Sequence, residues 1–350
     1  MTGEHVKESA AILPTAPPKS WKDPSRHFLD AIGHPWYSAL LAAQDAINQA
    51  TSQFWQARGV RWLMLPVTTT AISSPMGLGS DSLPVRVTIG PDEVYLADSM
   101  QFLLEYGCRF ARNGCYYIMP SFRGEATDRT HMSEFFHSEA ELPVGLEEML
   151  DTVDDYVHSL SAALLKNCED EIRRAAGTTE HLELMASGSS AIARVTFDEA
   201  EKILARIGGE TRRDPVHGFR TIDRRSEKLL IEHVSGPVWL THWDPLAVPF
   251  YQALDATGER TLNADLLIGE GEAVGAGQRH ATDEAARDAL ARHGVPAAEY
   301  EWYLAMKREA PLQTSGFGLG VERFMQWVLC HDDVRDLQLL PRMRGSGLVP

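Results

Sequence analysis

Two strand-like runs with a polar loop between them place the strongest constraint on how this chain folds. The runs are residues 115–125, CYYIMPSFRGE, and residues 132–142, MSEFFHSEAEL, and the loop spans residues 126–131. Two such runs joined by a short polar loop predict an antiparallel hairpin. Acids and aromatic residues alternate along the second run, which is typical of a sheet with one half-solvated face.

The rest of the chain predicts helices around a larger sheet. Further strands are predicted at 60–67, 85–97, 237–243 and 261–279, and helices at 34–58, 99–113, 144–176, 197–207, 282–294 and 297–307. This order favours an α+β fold, a mainly antiparallel sheet flanked by helices. Residues 1–33, rich in proline, serine and charge, predict a poorly ordered arm, and residues 34–350 predict one catalytic domain.

Composition limits the classes of partner. The chain has 350 residues, of which 44% are apolar, and a formal net charge of −16. Nucleic-acid binders usually carry a basic face, so this charge counts against a nucleic-acid partner without excluding one. No run of 18 apolar residues is present, which predicts a soluble, cytoplasmic protein that does not enter a membrane. The four cysteines match no zinc pattern and predict free thiols.

Arg123 and Glu125 lie two residues apart near the end of the first run. The planar guanidinium of an arginine suits phosphate oxygens. A structural salt bridge between the two side chains explains the same pair without a ligand. The pair alone therefore leaves an anion site and a structural pair open.

A second candidate is SGFGLGVERF, residues 315–324. Its glycines precede a predicted helix, but the pattern lacks the spacing of a dinucleotide or P-loop motif. Arg323 falls in the first turn of that helix, where a cation opposes the helix dipole. Either an anionic ligand or a structural pair with Glu322 accounts for it.

A third candidate is LIGEGEAVGAGQR, residues 267–279. If it forms a strand, Glu270 and Glu272 lie on one face. Carboxylate oxygens in that position suit Mg²⁺ that bridges phosphates, and solvated acids on a strand edge are the alternative.

The three candidates occur in an order that resembles the catalytic domain of class II aminoacyl-tRNA synthetases, in the asparaginyl and aspartyl branch. Residues 39–70 resemble the first motif of that family, a long helix and a strand that ends in a proline, here Pro66. Residues 121–141 resemble the second motif. Residues 316–329, GFGLGVERFMQWVL, resemble the third. The resemblance implies an ATP-dependent ligase that forms an acyl-adenylate, with ATP and Mg²⁺ as cofactors, and a homodimer built on the first motif.

The resemblance also implies a role for individual residues. Catalytic roles fall to Arg123, at the α-phosphate, and to Arg323, over the phosphates of ATP. The remaining ATP contacts are implied at Glu125 (adenine amino group), Phe135 (stacking on adenine), His131 (γ-phosphate) and Arg129, which stands in for a family arginine at Thr130. Mg²⁺ ligands are implied at Asp265 and Glu272, and substrate contacts at Ser99, Gln101, Glu105 and Arg308.

Departures from the family pattern concentrate on the amino-acid side. Residues 73–84 lack the glutamate that the family uses to hold the substrate amino group, and Thr314 replaces a histidine. Glu105 keeps the glutamate of the asparagine-specific enzymes, and Leu104 stands where the aspartate-specific enzymes have a lysine. Arg308 remains as a residue that can grip a substrate carboxylate.

Only about 34 residues precede the first motif helix, too few for the anticodon-binding domain of the full synthetases. The leading expectation is therefore a stand-alone, asparagine-synthetase-like enzyme. It activates aspartate or a related small acid and transfers the acyl group to ammonia or an amine, with tRNA an unlikely partner. The alternatives are an asparagine-specific tRNA-charging enzyme and a non-catalytic regulatory paralogue.

Overall fold

The computed structural model describes residues 14–73, 78, 82–188 and 191–345. The helices are α1 (Pro24–Asp30), α2 (Pro35–Ala57), α3 (Gln101–Gly107), α4 (Leu146–Ala176), α5 (Glu180–Ala186), α6 (Phe197–Ile207), α7 (Arg224–Val234), α8 (Asp283–Arg292), α9 (Glu301–Glu309) and α10 (Val321–Val328). The strands are β1 (Arg61–Trp62), β2 (Thr68–Thr69), β3 (Val85–Ile89), β4 (Asp92–Leu96), β5 (Cys115–Phe122), β6 (Glu134–Leu142), β7 (Ala193–Thr196), β8 (Thr211–Arg213), β9 (Arg220–Ile222), β10 (Val238–Thr241), β11 (Asn263–Ile268), β12 (Gly271–Gln278) and β13 (Ser315–Gly320).

Eight of the strands form one large sheet in the order β1-β5-β6-β13-β12-β11-β10-β7. In this order, the six strands between the edges pair antiparallel with one another. The two edge strands, β1 and β7, pair parallel to their neighbours. The predicted α+β class, with a mainly antiparallel sheet flanked by helices, is confirmed.

Helices α2 and α4 cover one face of this sheet. The buried side chains of α2 include Trp36, Leu40, Ala43, Ile47, Ala50 and Phe54, which follow one another at alternating steps of four and three residues. That spacing puts them on one stripe of the helix, against α4 and the sheet. The opposite face of the sheet is thereby left for polar side chains.

Most of the predicted elements are present, with shorter bounds. The predicted strand at 60–67 shortens to two residues, and the predicted helix at 99–113 ends at Gly107. A helix, α7, and the short hairpin of β8 with β9 were not predicted from the sequence.

Residues 1–33 were predicted to form a poorly ordered arm, but the described part, residues 14–33, contains ordered helices. Residues 20–30 form two short helices that contact the C-terminal segment, where Trp21 Nε1 donates to Asp336 Oδ1 at 2.7 Å. His27 is buried, and its Nε2 lies 2.8 Å from the Leu339 carbonyl oxygen. A tryptophan and a histidine with long-range partners hold this segment in place, and residues 1–13 lie outside the described residues. Within the described residues, no helix is both long and apolar enough to cross a membrane.

Candidate active site

The polar side chains of the site lie on one face of β6. Phe135, His137, Glu139 and Glu141 alternate along the strand, so they point to the same side of the sheet. Ala140, between two of them, points the other way into the core under α2 and α4. The alternation in the sequence therefore reflects two faces of β6, one that packs in the core and one that carries the site.

Glycines on β13 leave the room that the acids occupy. Gly316 lies opposite Glu141, and Gly318 lies opposite Glu139. A Cβ atom at position 316 would overlap the Glu141 carboxylate, and one at 318 would come within 3.1 Å of Glu139 Oε1. The glycine repeat of the sequence therefore accommodates neighbouring acid side chains on a sheet and does not form a phosphate loop.

The first cavity has a volume of about 110 Å³, and the residues that line it include Arg123, His131, Phe135, Glu272 and Arg323. The guanidinium of Arg123 lies 5.7 Å from the centre of the Phe135 ring. Its Nε is buried without a hydrogen-bond partner. A cavity with an aromatic wall and an incompletely paired arginine fits an anion that is joined to a flat ring.

Glu125 lies beside Arg123 and is not part of the cavity lining. Its Oε2 accepts a hydrogen bond from the Leu83 backbone N–H at 3.1 Å, and its Oε1 is buried without a hydrogen-bond partner. The ion pair with Arg123 is long, at 3.7 Å. The pair that the sequence left open is thus a loose one, in which both groups keep hydrogen-bonding capacity for a further partner.

Arg323 and Glu322 do not pair with each other. Arg323 Nη1 donates to the Glu272 carbonyl oxygen at 2.9 Å and lies 3.7 Å from its carboxylate. Glu322 is buried and accepts hydrogen bonds from the Phe136 N–H at 3.0 Å and from Gln338 at 2.7 Å. Glu322 therefore joins α10 to β6, and Arg323 faces the first cavity.

The loop after β5 brings His131 to the same cavity. Burial alone would raise the pKa of Asp128, but hydrogen bonds from Thr130 and His131 lower it to about 2 and close the loop. Arg129 is half-exposed, and its guanidinium lies 3.8 Å from Glu270. Thr130 and His131 line the cavity, and Arg129 precedes them in the loop without lining it.

Arg224, in the first turn of α7, is a further cation that the sequence reasoning missed. Burial and the nearby charge of Arg323 lower its pKa. Among the described residues no acid comes within ion-pair distance of its guanidinium. Two arginines that face each other without an anion between them repel, so this region fits an anionic ligand. An arginine in an RRSEK run resembles ordinary surface charge, and only the placement of α7 distinguishes it.

The predicted metal acids lie together beside the first cavity. Asp265 and Glu272 both reach over Gly275, where a Cβ atom would lie 3.8 Å and 3.2 Å from their oxygens. Burial, with the charges of Glu272 and Glu227, raises the pKa of Asp265 well above its usual range. Burial and Glu272 likewise raise the pKa of Glu227, which the sequence did not indicate, to about 7.

Such crowded carboxylates fit a divalent cation, whose charge would offset their repulsion. The described residues contain no preformed group of three or more metal-ligating side chains.

The second cavity, of about 370 Å³, adjoins the first, and Ser99, Gln101, Glu139 and Arg279 contribute to its lining. Ser99 Oγ donates to Glu139 at 2.6 Å. The side-chain nitrogen of Gln101 is buried and has no hydrogen-bond partner. A buried amide donor without a protein partner is open to a ligand oxygen.

Arg279 lines the second cavity and forms a buried ion pair with Glu141, which lies behind the lining. Their side chains are 4% and 0% exposed, and Arg279 Nη2 lies 3.1 Å from Glu141 Oε2. Burial raises the pKa of Glu141 to about 7; Arg279 opposes this shift, and the charge of Glu105 adds to it. The sequence reasoning missed both residues, although an arginine that follows a glycine-rich strand was a visible signal.

This geometry can be compared with known proteins. Residues 23–344 match the family model for tRNA synthetases class II (D, K and N). The chain belongs to the class II aminoacyl-tRNA synthetases. It falls in the asparaginyl and aspartyl branch, and it is an ATP-dependent ligase of the kind that forms an aminoacyl-adenylate and releases pyrophosphate.

Individual relatives support the family assignment. The asparagine–tRNA ligase of Syntrophobacter fumaroxidans is 27% identical over 95% of this chain and 77% of its own length. That of Thermoplasma acidophilum is 25% identical over 92% and 74%. Among solved structures, asparaginyl-tRNA synthetase from Pyrococcus horikoshii in complex with asparaginyl-adenylate aligns with a TM-score of 0.84 and 25% identity, over 95% of this chain and 74% of that one.

Two expectations from the sequence are wrong. Transfer of the acyl group to ammonia or an amine was the leading hypothesis, and tRNA was held an unlikely partner. The relatives compared above are asparagine–tRNA ligases by name, which supports the alternative of tRNA charging. The net charge of −16 misled because it averages the whole surface and does not describe any local patch.

The synthetase resemblance placed two further residues, Glu105 and Arg308, on the substrate. Glu105 is fully buried and is held by Lys307 Nζ at 2.7 Å and by the Tyr303 hydroxyl at 2.8 Å. Arg308 is 48% exposed and lies 3.6 Å from Asp283. Neither residue lines the second cavity. Lys307 and Arg308 are consecutive on α9, so the helix turns Lys307 inward to Glu105 and turns Arg308 outward.

The departure at residues 73–84 is only partly described, since 74–77 and 79–81 lie outside the described residues. Ser73 is buried, and its Oγ donates to Asp98 at 3.0 Å. Asp98 also lines the second cavity and places one more carboxylate beside Ser99.

Proposed function

We propose that this synthetase-family chain activates asparagine, or a close analogue with a small uncharged side chain, and transfers it to tRNA. The observation that carries the choice of substrate is the charge balance at the Arg279 end of the second cavity. Arg279 is paired with Glu141, and Lys307, directly behind, is paired with Glu105. The two cations and two acids cancel, so a charged side chain would enter without a free counter-charge.

Each of the four charged groups is almost fully buried, which strengthens this argument. An aspartate side chain in this place would be a third acid against two cations. The cost of burying an unpaired charge is several kcal/mol, roughly a thousandfold or more in binding. An amide side chain instead offers an acceptor for Arg279 without any net charge.

For the adenylation step, we propose that ATP occupies the first cavity. Phe135 would stack on the adenine, Arg123 would bind the α-phosphate, and Arg323 would lie over the phosphate tail. The substrate carboxylate then attacks the α-phosphorus in line, and pyrophosphate leaves. Arginines that are fixed before the reaction offset the charge that develops, and no protein nucleophile is required.

We further propose that Asp265 and Glu272 hold Mg²⁺ when ATP is bound. The proposal rests on the raised pKa of Asp265 in a buried group of acids. The metal would supply positive charge to the bridging phosphate oxygens. His131 and Arg129 would contact the far end of the triphosphate, and Glu125 the adenine amino group.

On the substrate side, we propose that Ser99 and Gln101 contact the amino-acid backbone. Gln101 has the donor that lacks a partner, and Ser99 is fixed by Glu139. Glu105 is proposed to act through Lys307 and Arg279, and not by direct contact. Arg308 has no such route, because its acid partners, Asp283 and Glu301, do not line the second cavity.

The proposal includes a homodimer. Trp62 and Met64 are 55% and 84% exposed on and just after the edge strand β1, in the segment that resembles the first motif of the family. Two large apolar side chains beside unpaired strand edges favour association with a second copy. Light scattering on the pure protein should give twice the chain mass of 38.8 kDa, and Met64→Glu should shift it toward the monomer.

The test of the function is a charging assay with purified protein, ATP, Mg²⁺ and unfractionated tRNA, in which each radiolabelled amino acid is offered in turn. We expect acid-precipitable label with asparagine and none with aspartate or glutamate. Loss of the label after mild alkaline treatment would identify an ester to the tRNA terminus. Charging with a different amino acid, or formation of a free amide product and no charged tRNA, would overturn the proposal.

A further inference from the structure

His137 lies where the two cavities meet. Only four described residues line both cavities: Arg123, His137, Glu272 and Gly318. If ATP fills the first cavity and the amino acid the second, this junction holds the bond between the acyl group and the α-phosphate. The His137 side chain is 15% exposed, so it reaches this space with most of its ring shielded.

The orientation of the His137 ring is fixed through one nitrogen. Nδ1 lies 3.1 Å from Glu139 Oε1 and 2.9 Å from Ser121 Oγ. The other Glu139 oxygen accepts hydrogen bonds from the Ser99 and Tyr117 hydroxyls. A carboxylate only accepts, so the Glu139 contact favours the tautomer with the hydrogen on Nδ1.

The second ring nitrogen of His137 is therefore an acceptor in the neutral ring. No described residue forms a hydrogen bond with Nε2. Burial alone would raise the pKa of Glu139, but hydrogen bonds from His137, Ser99 and Tyr117 lower it, so Glu139 stays anionic. An anionic carboxylate behind Nδ1 stabilises the imidazolium that forms when Nε2 takes up a proton, as in other carboxylate–histidine pairs.

We propose that His137 Nε2 is the general base of the second half-reaction, which rests on the proposed function above. The acceptor hydroxyl attacks the acyl carbon of the adenylate, and a new carbon–oxygen bond forms. The bond from that carbon to the phosphate oxygen breaks, and AMP leaves with the electron pair. The hydroxyl proton moves to Nε2, and the imidazolium returns it to solvent after the product leaves.

The other acids near the junction are poorly placed for this proton. Glu139 already accepts hydrogen bonds from three side chains, and Glu141 is paired with Arg279. Glu272 is in the group proposed to hold Mg²⁺. The first half-reaction needs no base, because the attacking carboxylate is already ionised. A role for His137 should therefore be confined to transfer.

The experiment separates the two half-reactions in His137→Gln, with His233→Gln on the exposed end of α7 as the matched control. Pyrophosphate exchange measures adenylation. Rapid quench of the pre-formed enzyme-bound adenylate measures transfer to unfractionated tRNA and, in parallel, hydrolysis by water. We expect exchange to stay within about threefold of wild type, and transfer and hydrolysis to fall by roughly a hundredfold or more. The control should match wild type in each assay.

Two further measurements distinguish a base from a structural residue. Hydroxylamine attacks adenylates without prior loss of a proton, so it should trap the adenylate of His137→Gln at the wild-type rate. Added imidazole should restore part of the transfer rate in His137→Gly. Unchanged transfer and hydrolysis in His137→Gln, or equal loss of exchange and transfer, would overturn the role of His137. Absence of exchange in the wild type would instead overturn the proposed function.

Discussion

The two cavities of the site treat charge in opposite ways. In the first, Arg123 and Arg323 have long ion pairs of 3.7 Å. Arg224, near Arg323 but not in the cavity lining, has no acid within ion-pair distance among the described residues. In the second, Arg279 and Glu141 are 3.1 Å apart, and Lys307 and Glu105 behind it are 2.7 Å apart. The arginines of the first cavity are loosely paired and can contact an anion, whereas the cation at the Arg279 end of the second cavity is already closely paired.

This difference indicates which part of each substrate the protein recognises by charge. An incompletely paired arginine gains the most interaction energy from a bound phosphate, because the protein already holds its guanidinium in place. Fully paired buried groups gain nothing from a charged ligand and discriminate by shape and hydrogen bonds. The contrast can be broken at either cavity, by substitution of a charged residue or by a change of pH.

Arg323→Ala should nearly abolish the first half-reaction. Removal of a fixed cation from the developing charge is expected to lower pyrophosphate exchange about a thousandfold. Arg225→Ala, an exposed arginine on α7, is the matched control and should keep wild-type exchange. Full exchange in Arg323→Ala, with unchanged thermal stability, would show that the first cavity does not hold the phosphates.

Lys307→Met should destabilise the protein, because it leaves Glu105 buried and unpaired. We expect a loss of about 3 kcal/mol in the free energy of unfolding, measured by urea denaturation. The double variant Glu105→Gln with Lys307→Met removes both charges and should recover most of that loss. If both variants were equally unstable, the packing of Lys307 would matter and not its charge.

Arg224→Ala should weaken ATP binding without blocking chemistry. The residue is half-buried beside Arg323, and its loss should raise KM for ATP roughly tenfold, about 1.4 kcal/mol, with kcat changed little. Arg224→Lys keeps the charge, so its KM for ATP should lie between those of the wild type and Arg224→Ala. No change in KM would indicate that Arg224 does not face the triphosphate.

The preference for asparagine should weaken in acid. Glu141, which faces Arg279, Glu105 and Lys307, has a raised pKa of about 7, so it is increasingly protonated below that pH. Protonation removes one acid and leaves the second cavity with a spare positive charge. The ratio of kcat/KM for aspartate to that for asparagine should rise roughly fivefold between pH 8 and pH 6. A ratio that falls or stays constant would contradict the charge balance.

The two cavities also differ in how far sequence predicted them. Arg123, Phe135 and Arg323 occur in contiguous motifs, and the structure brings all three to one cavity, as the resemblance implied. The residues of the second cavity come from distant strands, and their pairing depends on the sheet register. The Gly316–Glu141 register, for example, brings Arg279 to a partner 138 residues away, which no local pattern indicates.

The limits of the sequence interpretation have the same origin. Glu105 and Arg308 were placed by position along a motif, but burial on α3 and the turn of α9 decide what each contacts. Arg224 was missed because α7 has no strong start signal apart from Asp223. The acyl acceptor was misjudged because net charge and chain length carry no information about a local surface.

Pyrophosphate exchange with asparagine and aspartate, each at saturating ATP and pH 8, tests the charge-balanced cavity most directly. At that pH Glu141 is ionised and the Arg279 end of the second cavity is neutral. We expect exchange with asparagine at a kcat/KM at least a hundredfold above that for aspartate. Exchange with aspartate that equals or exceeds exchange with asparagine would contradict the charge balance at the Arg279 end of the second cavity.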